Sequence, residues 1–411
     1  MRLGFIVFVL AFAGLSFFAH WWLYSFVLRT YPRMARFRKP FLVALVFLFL
    51  APFLRGLVRY WEPLRHLVGL GMGWHLVVMA TALPMGVLHL VLRLVDGLRP
   101  KAKDAKEPSV LPEAEKVEHV AATVPVVDRP ASPERRMVLE GLAGTALLGA
   151  TSSAMAWGIV RGRFDFQIEE VPIRMPKLPK ALDGFTIVQI SDIHVGTFID
   201  EDFLRQGLEF VAKAKPDLVA ITGDIIDIDG RWARMGGAIL GSAKAKYGVV
   251  CVPGNHDHYA GIDQVTEGMQ KGGIDVLTNR GKVVASAGTG GLAILGVDDL
   301  WARRLGRGRG PQIGVARAMV PRDMATVLLA HQPPFVEETV PWGIDLQLSG
   351  HTHGGQINPG FSPAHFVMRY VAGLYEYEGT KLYVNRGFGT AGPPARLGAP
   401  PEITKIVLVA G

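Results

Sequence analysis

Five short stretches of this chain hold residue types that bind divalent metal ions. Asp192 and His194 are one residue apart. Gly223 precedes Asp224. Gly254, Asn255, His256 and Asp257 run together. His331 stands alone, and His351 and His353 flank Thr352 ahead of Gly354-Gly355-Gln356. Imidazole and carboxylate without thiolate suit Mn, Fe, Zn or Co. Cys251 is the one cysteine, so neither a Cys-based zinc site nor an intramolecular disulfide is available. These donor groups exceed one ion's needs, which points to two ions about 3.5–4 Å apart bridged by a carboxylate. Such a pair binds phosphoryl oxygens, and a water shared between the ions loses a proton near neutral pH and becomes the nucleophile.

The elements that must position these groups are visible around them. Residues 185–191, 218–222, 249–253, 292–297, 326–330 and 344–349 are short apolar runs rich in β-branched side chains, which predicts buried strands. Residues 202–214 repeat apolar side chains at helical spacing (Phe203, Leu204, Leu208, Val211, Ala212) and stop before Pro216. Strands alternating with helix imply an α/β domain, in which ligands gather beyond the carboxyl ends of the strands. Each of the five stretches follows one of these runs.

The ordered set D-x-H, G-D, G-N-H-D, H and G-H-x-H resembles the calcineurin-like metallophosphoesterase family, over residues 185–409. The resemblance implies a two-sheet sandwich flanked by helices and two divalent ions (Mn, Fe or Zn). It also implies ligand sets: Asp192, His194, Asp224 and His353 for one ion, and Asp224, Asn255, His331 and His351 for the other. His256 would then be no ligand but a general acid or a cation facing the transition state, and Asp227 would orient it. The sequence lacks the arginine-containing G-D-x-x-D-R-G block of protein phosphatases, which disfavours that activity. Gly350–Ile357 and the Gly/Pro-rich tail 385–403 are similar to the membrane-associated bacterial YkuE-like, YaeI-like branch, near the UDP-diacylglucosamine hydrolases. That implies a lipid-phosphate substrate. Arg386 and Arg396 in this tail, and His258 beside His256, are candidate substrate contacts. The aromatic stretch 361–377 is a candidate acyl groove or membrane-dipping loop.

The remainder of the chain is of a different kind. Charged residues are only 19% of the 411, and mean hydropathy is +0.26, against about 25% charged in soluble domains. The net charge of +8 lies entirely in residues 1–160, which hold 18 Lys+Arg and 10 Asp+Glu, while residues 161–411 balance at 26 and 26. That distribution argues against nucleic-acid binding, where the basic patch belongs to a folded domain. Residues 3–28, 41–58, 67–92 and 137–160 are apolar runs, the second short with Pro52 and Arg55 near its end. The chain thus reads as three membrane segments within 1–95, a charged flexible linker over 96–136, a fourth span or signal over 137–160, and the metal-binding domain over 164–411. Loops 29–39 and 93–106 each carry five Lys/Arg, against three between the second and third runs. Basic loops stay in the cytoplasm, so this multi-pass protein of a bacterial cytoplasmic membrane would hold its catalytic domain outside. Arg161 and Arg163 pull the other way. Arg135-Arg136 before the fourth run resembles a twin-arginine export signal, which makes that translocation machinery a candidate partner.

The leading expectation is therefore a membrane-anchored two-metal phosphoesterase acting on a phosphate ester or pyrophosphate of a lipid-like substrate. One alternative is a tethered phosphodiesterase with a soluble substrate. Another is a receptor or transport component with a non-catalytic metal domain, which an intact His256 disfavours.

Overall fold

The computed structural model describes residues 2–58, 60–98, 133–288 and 290–411. The chain divides into two compact units, Met1–Leu50 with Trp74–Ser153, and Ala51–Gly73 with Ala154–Gly411.

Among the described residues, four helices are long and apolar enough to cross a membrane. They lie within α1 (Arg2–Thr30), α2 (Arg38–Leu50) with its flanking turns, α3 (Leu64–Leu98) and α4 (Pro133–Val160). The α-helical part of the second segment stops earlier than its apolar run. A 3-10 turn takes over at Ala51–Leu57, because Pro52 lacks the N–H that an α-helix needs and its ring crowds the preceding turn. In the first unit Leu23, Phe26, Leu45 and Val78 form an apolar cluster. Ser16, His20 and His75 are also buried there, and Ser16 Oγ lies 2.7 Å from His75 Nδ1. Linker residues 99–132 lie outside the described residues, as do the side chains of Arg135 and Arg136.

The second unit contains two six-stranded sheets. The first holds β1 (Gln167–Met175), β2 (Phe185–Ile190), β3 (Leu218–Thr222), β4 (Val249–Val252), β5 (Asp275–Val276) and the last strand, β12 (Glu402–Ala410), in the order β1-β12-β2-β3-β4-β5. The second holds β6 (Arg280–Ala287), β7 (Gly290–Gly296), β8 (Ala325–Leu329), β9 (Leu346–Ser349), β10 (Gly373–Tyr377) and β11 (Thr380–Val384), in the order β10-β11-β9-β8-β7-β6. Alternate side chains of the central strands go to opposite faces. Ile187, Ala220, Val250 and Val252 meet Ile294, Val327 and Leu348 in the layer between the sheets. Val188, Val219, Ile221 and Cys251 instead join Phe203, Leu204 and Val211 of α5 (Glu201–Lys213). On the outer face of the second sheet, Leu295 and Leu328 pack with Ile313 and Ala316 of a short helix. Strands buried on both faces show unbroken apolar runs, and all six runs read from the sequence form strands.

Sequence reading missed β1, β5, β6, β10, β11 and β12, of which β1 and β10 are among the more exposed. β1 is an edge strand with exposed residues and an internal Pro172, the position where proline is tolerated. β10 alternates between exposed and half-buried residues.

Candidate metal centre

β2, β3 and β4 run parallel, as do β7, β8 and β9. The loops leaving five of these six strands therefore converge on one rim. They carry Asp192 and His194 after β2, Asp224 after β3, Asn255 after β4, His331 after β8, and His351 and His353 after β9. Five of these seven side chains sit on left-handed backbone: Asp192 (φ 51°), His194 (54°), Asp224 (49°), His351 (72°) and His353 (52°). Each such residue costs on the order of 1–3 kcal/mol, and persists only where its surroundings over-determine it.

Those surroundings are specific. The backbone N–H groups of Asp192, His194 and Val195 donate to the carbonyls of Gly223, Asp224 and Ile225, so the loops after β2 and β3 continue to pair beyond the sheet. Asp257 is fully buried and accepts the backbone N–H groups of Gly254, Ile225 and Ile226. It thus ties the loop bearing Asn255 to the loop bearing Asp224. Burial, with Asp224 close by, pushes the Asp257 carboxyl up to about 6. Gly350 lets two loops touch: a Cβ there would lie 1.9 Å from Ser191 Oγ and 2.1 Å from Asp192 Oδ2.

The donors fall into two groups that share one carboxylate oxygen. His194 Nε2 lies 3.0 Å from His353 Nε2, and His353 Nε2 lies 3.4 Å from Asp192 Oδ1. His331 Nε2 lies 3.2 Å from His351 Nδ1. Asp224 Oδ2 stands between them, 3.8 Å from His194 Nε2 and 3.2 Å from His331 Nε2. Burial lowers the His194 and His351 imidazoles to about 4 and takes His353 well below the usual range, so all three present neutral nitrogens. Burial opposes charge on His331 as well, yet the Asp224 carboxylate beside it holds that imidazole well above its ordinary value. Its Nδ1 faces the Thr222 carbonyl at 2.8 Å, so the Nδ1 proton is spoken for and Nε2 is left toward the cluster. Asn255 Oδ1 is buried with no hydrogen-bond partner. Facing imidazole nitrogens, a shared carboxylate oxygen and an orphaned amide oxygen fit divalent ions. A donor set without sulfur fits the borderline ones.

Beside these donors lies a proton-handling pair. His256 Nδ1 is 2.9 Å from the Asp227 carbonyl and 3.4 Å from Asp227 Oδ1, while the His256 backbone N–H donates to Asp224 Oδ1 at 2.8 Å. Burial opposes charge on His256, but Asp224 and then Asp227 outweigh it and raise the imidazole to about 9. Burial would raise Asp227, yet His256 and Arg55 hold its carboxyl below the ordinary value. Arg55 Nη2 forms an ion pair with Asp227 Oδ2. Arg55 belongs to the segment Ala51–Gly73, which packs on the catalytic domain through Val58, Leu64, Val68 and Phe198. Sequence reading treated Arg55 only as a loop charge. Nothing in local spacing links it to Asp227, 172 residues away.

Three residues expected to touch substrate have other partners. His258 is 1% exposed, and its Nε2 lies 2.8 Å from Asp298 Oδ1. Arg396 is also 1% exposed and donates to the carbonyls of Gly389, Arg386 and Ala399. Its guanidinium lies 3.4 Å from His353 Nδ1, so it backs a candidate ligand. Arg386 pairs with Glu169 at 2.5 Å and Glu402 at 2.6 Å. His258 Nδ1 is left without a hydrogen-bond partner, but it is buried. In the aromatic stretch, Phe361, Phe366 and Val367 are 57%, 81% and 82% exposed.

Residues 185–355 match the family described as calcineurin-like phosphoesterase. The chain is 34% identical over 283 residues to the uncharacterized metallophosphoesterase YkuE of Bacillus subtilis, covering 67% of this chain and 97% of that protein. It is 34% identical over 266 residues to an uncharacterized metallophosphoesterase of Helicobacter pylori, covering 64% and 68% respectively. It is likewise 34% identical over 265 residues to a Danio rerio protein named transmembrane protein with metallophosphoesterase domain, covering 63% and 61%.

Proposed function

The chain belongs to the calcineurin-like metallophosphoesterase family, metal-dependent hydrolases of phosphoesters, and on that premise we propose that it is a membrane-anchored hydrolase of a lipid-linked phosphate ester or pyrophosphate. The observation that carries the hydrolytic part is the pair of donor groups joined at Asp224 Oδ2. Asp192, His194, Asp224 and His353 would hold one divalent ion, and Asp224, Asn255, His331 and His351 the other. Bound there, the ions supply Lewis-acid polarisation of the phosphoryl group and acidify water.

The chain's own residues do the rest. His256, held by Asp227 through Nδ1, carries on Nε2 the proton that the leaving oxygen needs as the ester bond breaks. The Asp227 carboxyl beside it favours the protonated imidazole, which suits it to that role. Asp227 keeps the imidazole oriented, and Asp257 holds the two loops that set the distance between His256 and Asp224.

Two features support a lipid-linked substrate. The loop that follows His353 exposes Phe361, Phe366 and Val367, an apolar surface fit for acyl chains. The four apolar helices would keep the site at a bilayer, where a tethered domain meets lipid at high effective concentration. The Danio rerio relative, described as transmembrane, is consistent with this arrangement. The test is Mn²⁺-dependent hydrolysis of bis-p-nitrophenyl phosphate by the full chain, with phospholipids and UDP-diacylglucosamine as competitors. Inhibition by lipid phosphates at concentrations where water-soluble nucleotides do nothing supports the lipid reading. The reverse order makes the substrate a soluble one.

A further inference from the structure

Asp227 divides its two carboxylate oxygens. Oδ1 lies 3.4 Å from His256 Nδ1, whose closer partner is the Asp227 carbonyl at 2.9 Å, and 3.9 Å from His194 Nδ1, while Oδ2 is taken by Arg55. With Oδ2 fixed, the carboxylate cannot rotate without moving Oδ1 away from His256. The guanidinium comes from outside the domain's own fold, from the 3-10 turn Ala51–Leu57 between the second and third apolar helices. That turn is itself held. Val58, Leu64 and Val68 cluster with Phe198, a Cβ at Gly69 would lie 3.0 Å from both Phe198 and Pro394, and Arg65 lies 3.7 Å from Asp200. Arg55 is therefore set in place by packing on both sides, at a side-chain exposure of 21%.

We propose that Arg55 is a positioning residue for the reaction, so that the segment between the second and third apolar helices completes the proton-donating pair of the active site. It acts through Asp227 on His256 and touches no reacting atom. The proposal rests on the reading of His256 as proton donor to the leaving oxygen. An arginine that served only to latch the segment would affect all substrates alike, because a loosened domain loses every reaction in proportion. An arginine that positions the proton donor matters most where the leaving group is a poor one. A good leaving group departs without help.

The experiment compares full-length Arg55→Met, Arg55→Lys and His256→Ala with the unaltered protein on an aryl phosphate series from dinitrophenyl to phenyl, with bound metal measured on each. Arg55→Met should lower kcat about 10- to 100-fold on phenyl phosphate and less than about threefold on dinitrophenyl phosphate, with KM and metal content unchanged. Arg55→Lys, which keeps the charge, should recover most of the loss. Equal losses across the series, or loss of metal in Arg55→Met, would overturn the assignment and make Arg55 a latch. His256→Ala separates the two layers of the argument. If it also shows no leaving-group dependence, the proton-donor reading falls and takes this proposal with it. If it does show that dependence while Arg55→Met is flat, only the assignment of Arg55 fails.

Discussion

His256 and Asp224 sit side by side yet should fail in different ways when altered. Asp224 Oδ2 faces both donor groups, so Asp224→Asn removes charge from each. Elemental analysis should find both metals depleted and activity gone. His256 is no part of either group, so His256→Ala should keep its metals and lose about 10²–10⁴ in kcat. If His256→Ala strips the metals, its role has been misassigned. The pH profile gives an independent reading with a definite sign. Asp227 beside its Nδ1 favours the charged imidazole of His256, so it holds its proton at lower pH and loses it as the pH rises. A general acid is lost on deprotonation, so kcat should fall on the alkaline side and the limb should vanish in His256→Ala. A limb that survives in that variant would belong to another group. Residue types at plainly marked strand ends single out eight candidate donors, His256 among them, and only the family resemblance sets His256 apart from the other seven. Local spacing did not reach Arg55, Asp257 or the burial of His258 and Arg396. Those depend on contacts between loops far apart in the chain, and local pattern carries no record of them.

The elements explain why the ligand spacing has its form. Five candidate ligands on left-handed backbone require loops that cannot relax, and Asp257 is a fastening between two of them. Asp257→Ala leaves the buried N–H groups of Gly254, Ile225 and Ile226 without their acceptor. That should cost on the order of 3 kcal/mol in unfolding experiments and weaken metal retention. Unchanged stability would mean that the loops are held by their backbone pairing alone. Gly350→Ala should be as damaging, since its Cβ would enter the space of Ser191 Oγ and Asp192 Oδ2. Burial explains part of strand legibility, though β11 is largely buried and was not read from the sequence. β2, β3, β4, β8 and β9 are buried along their whole length and appear as apolar runs. β1 and β10, exposed in part, show too little contrast to stand out. The second apolar run illustrates the converse. Its composition continues past Leu50, but Pro52 ends the regular α-helix inside it.

For the molecule as a whole, the segment Ala51–Gly73 lies in one compact unit with Ala154–Gly411. If the basic loops 29–39 and 93–106 obey the usual retention of Lys/Arg in the cytoplasm, the domain that follows the fourth apolar helix lies outside. Alkaline phosphatase fused after Arg163 should accordingly be active, and green fluorescent protein sent through the general export pathway should be dark there. The opposite pair of results would place the domain, and its substrate, at the inner leaflet. On either side of the membrane, two ions held around Asp224 would make this chain a phosphoesterase. The most direct test is to strip the full-length protein with chelator, restore Mn²⁺, Fe²⁺ or Mg²⁺ separately, and measure bis-p-nitrophenyl phosphate hydrolysis against bound metal. Four imidazoles among the donors favour borderline ions over a hard, oxygen-seeking one. Activity should therefore vanish on stripping and return best with Mn²⁺ or Fe²⁺ as the second ion binds. Activity that survives chelation, or full activity with Mg²⁺ alone, would contradict the account.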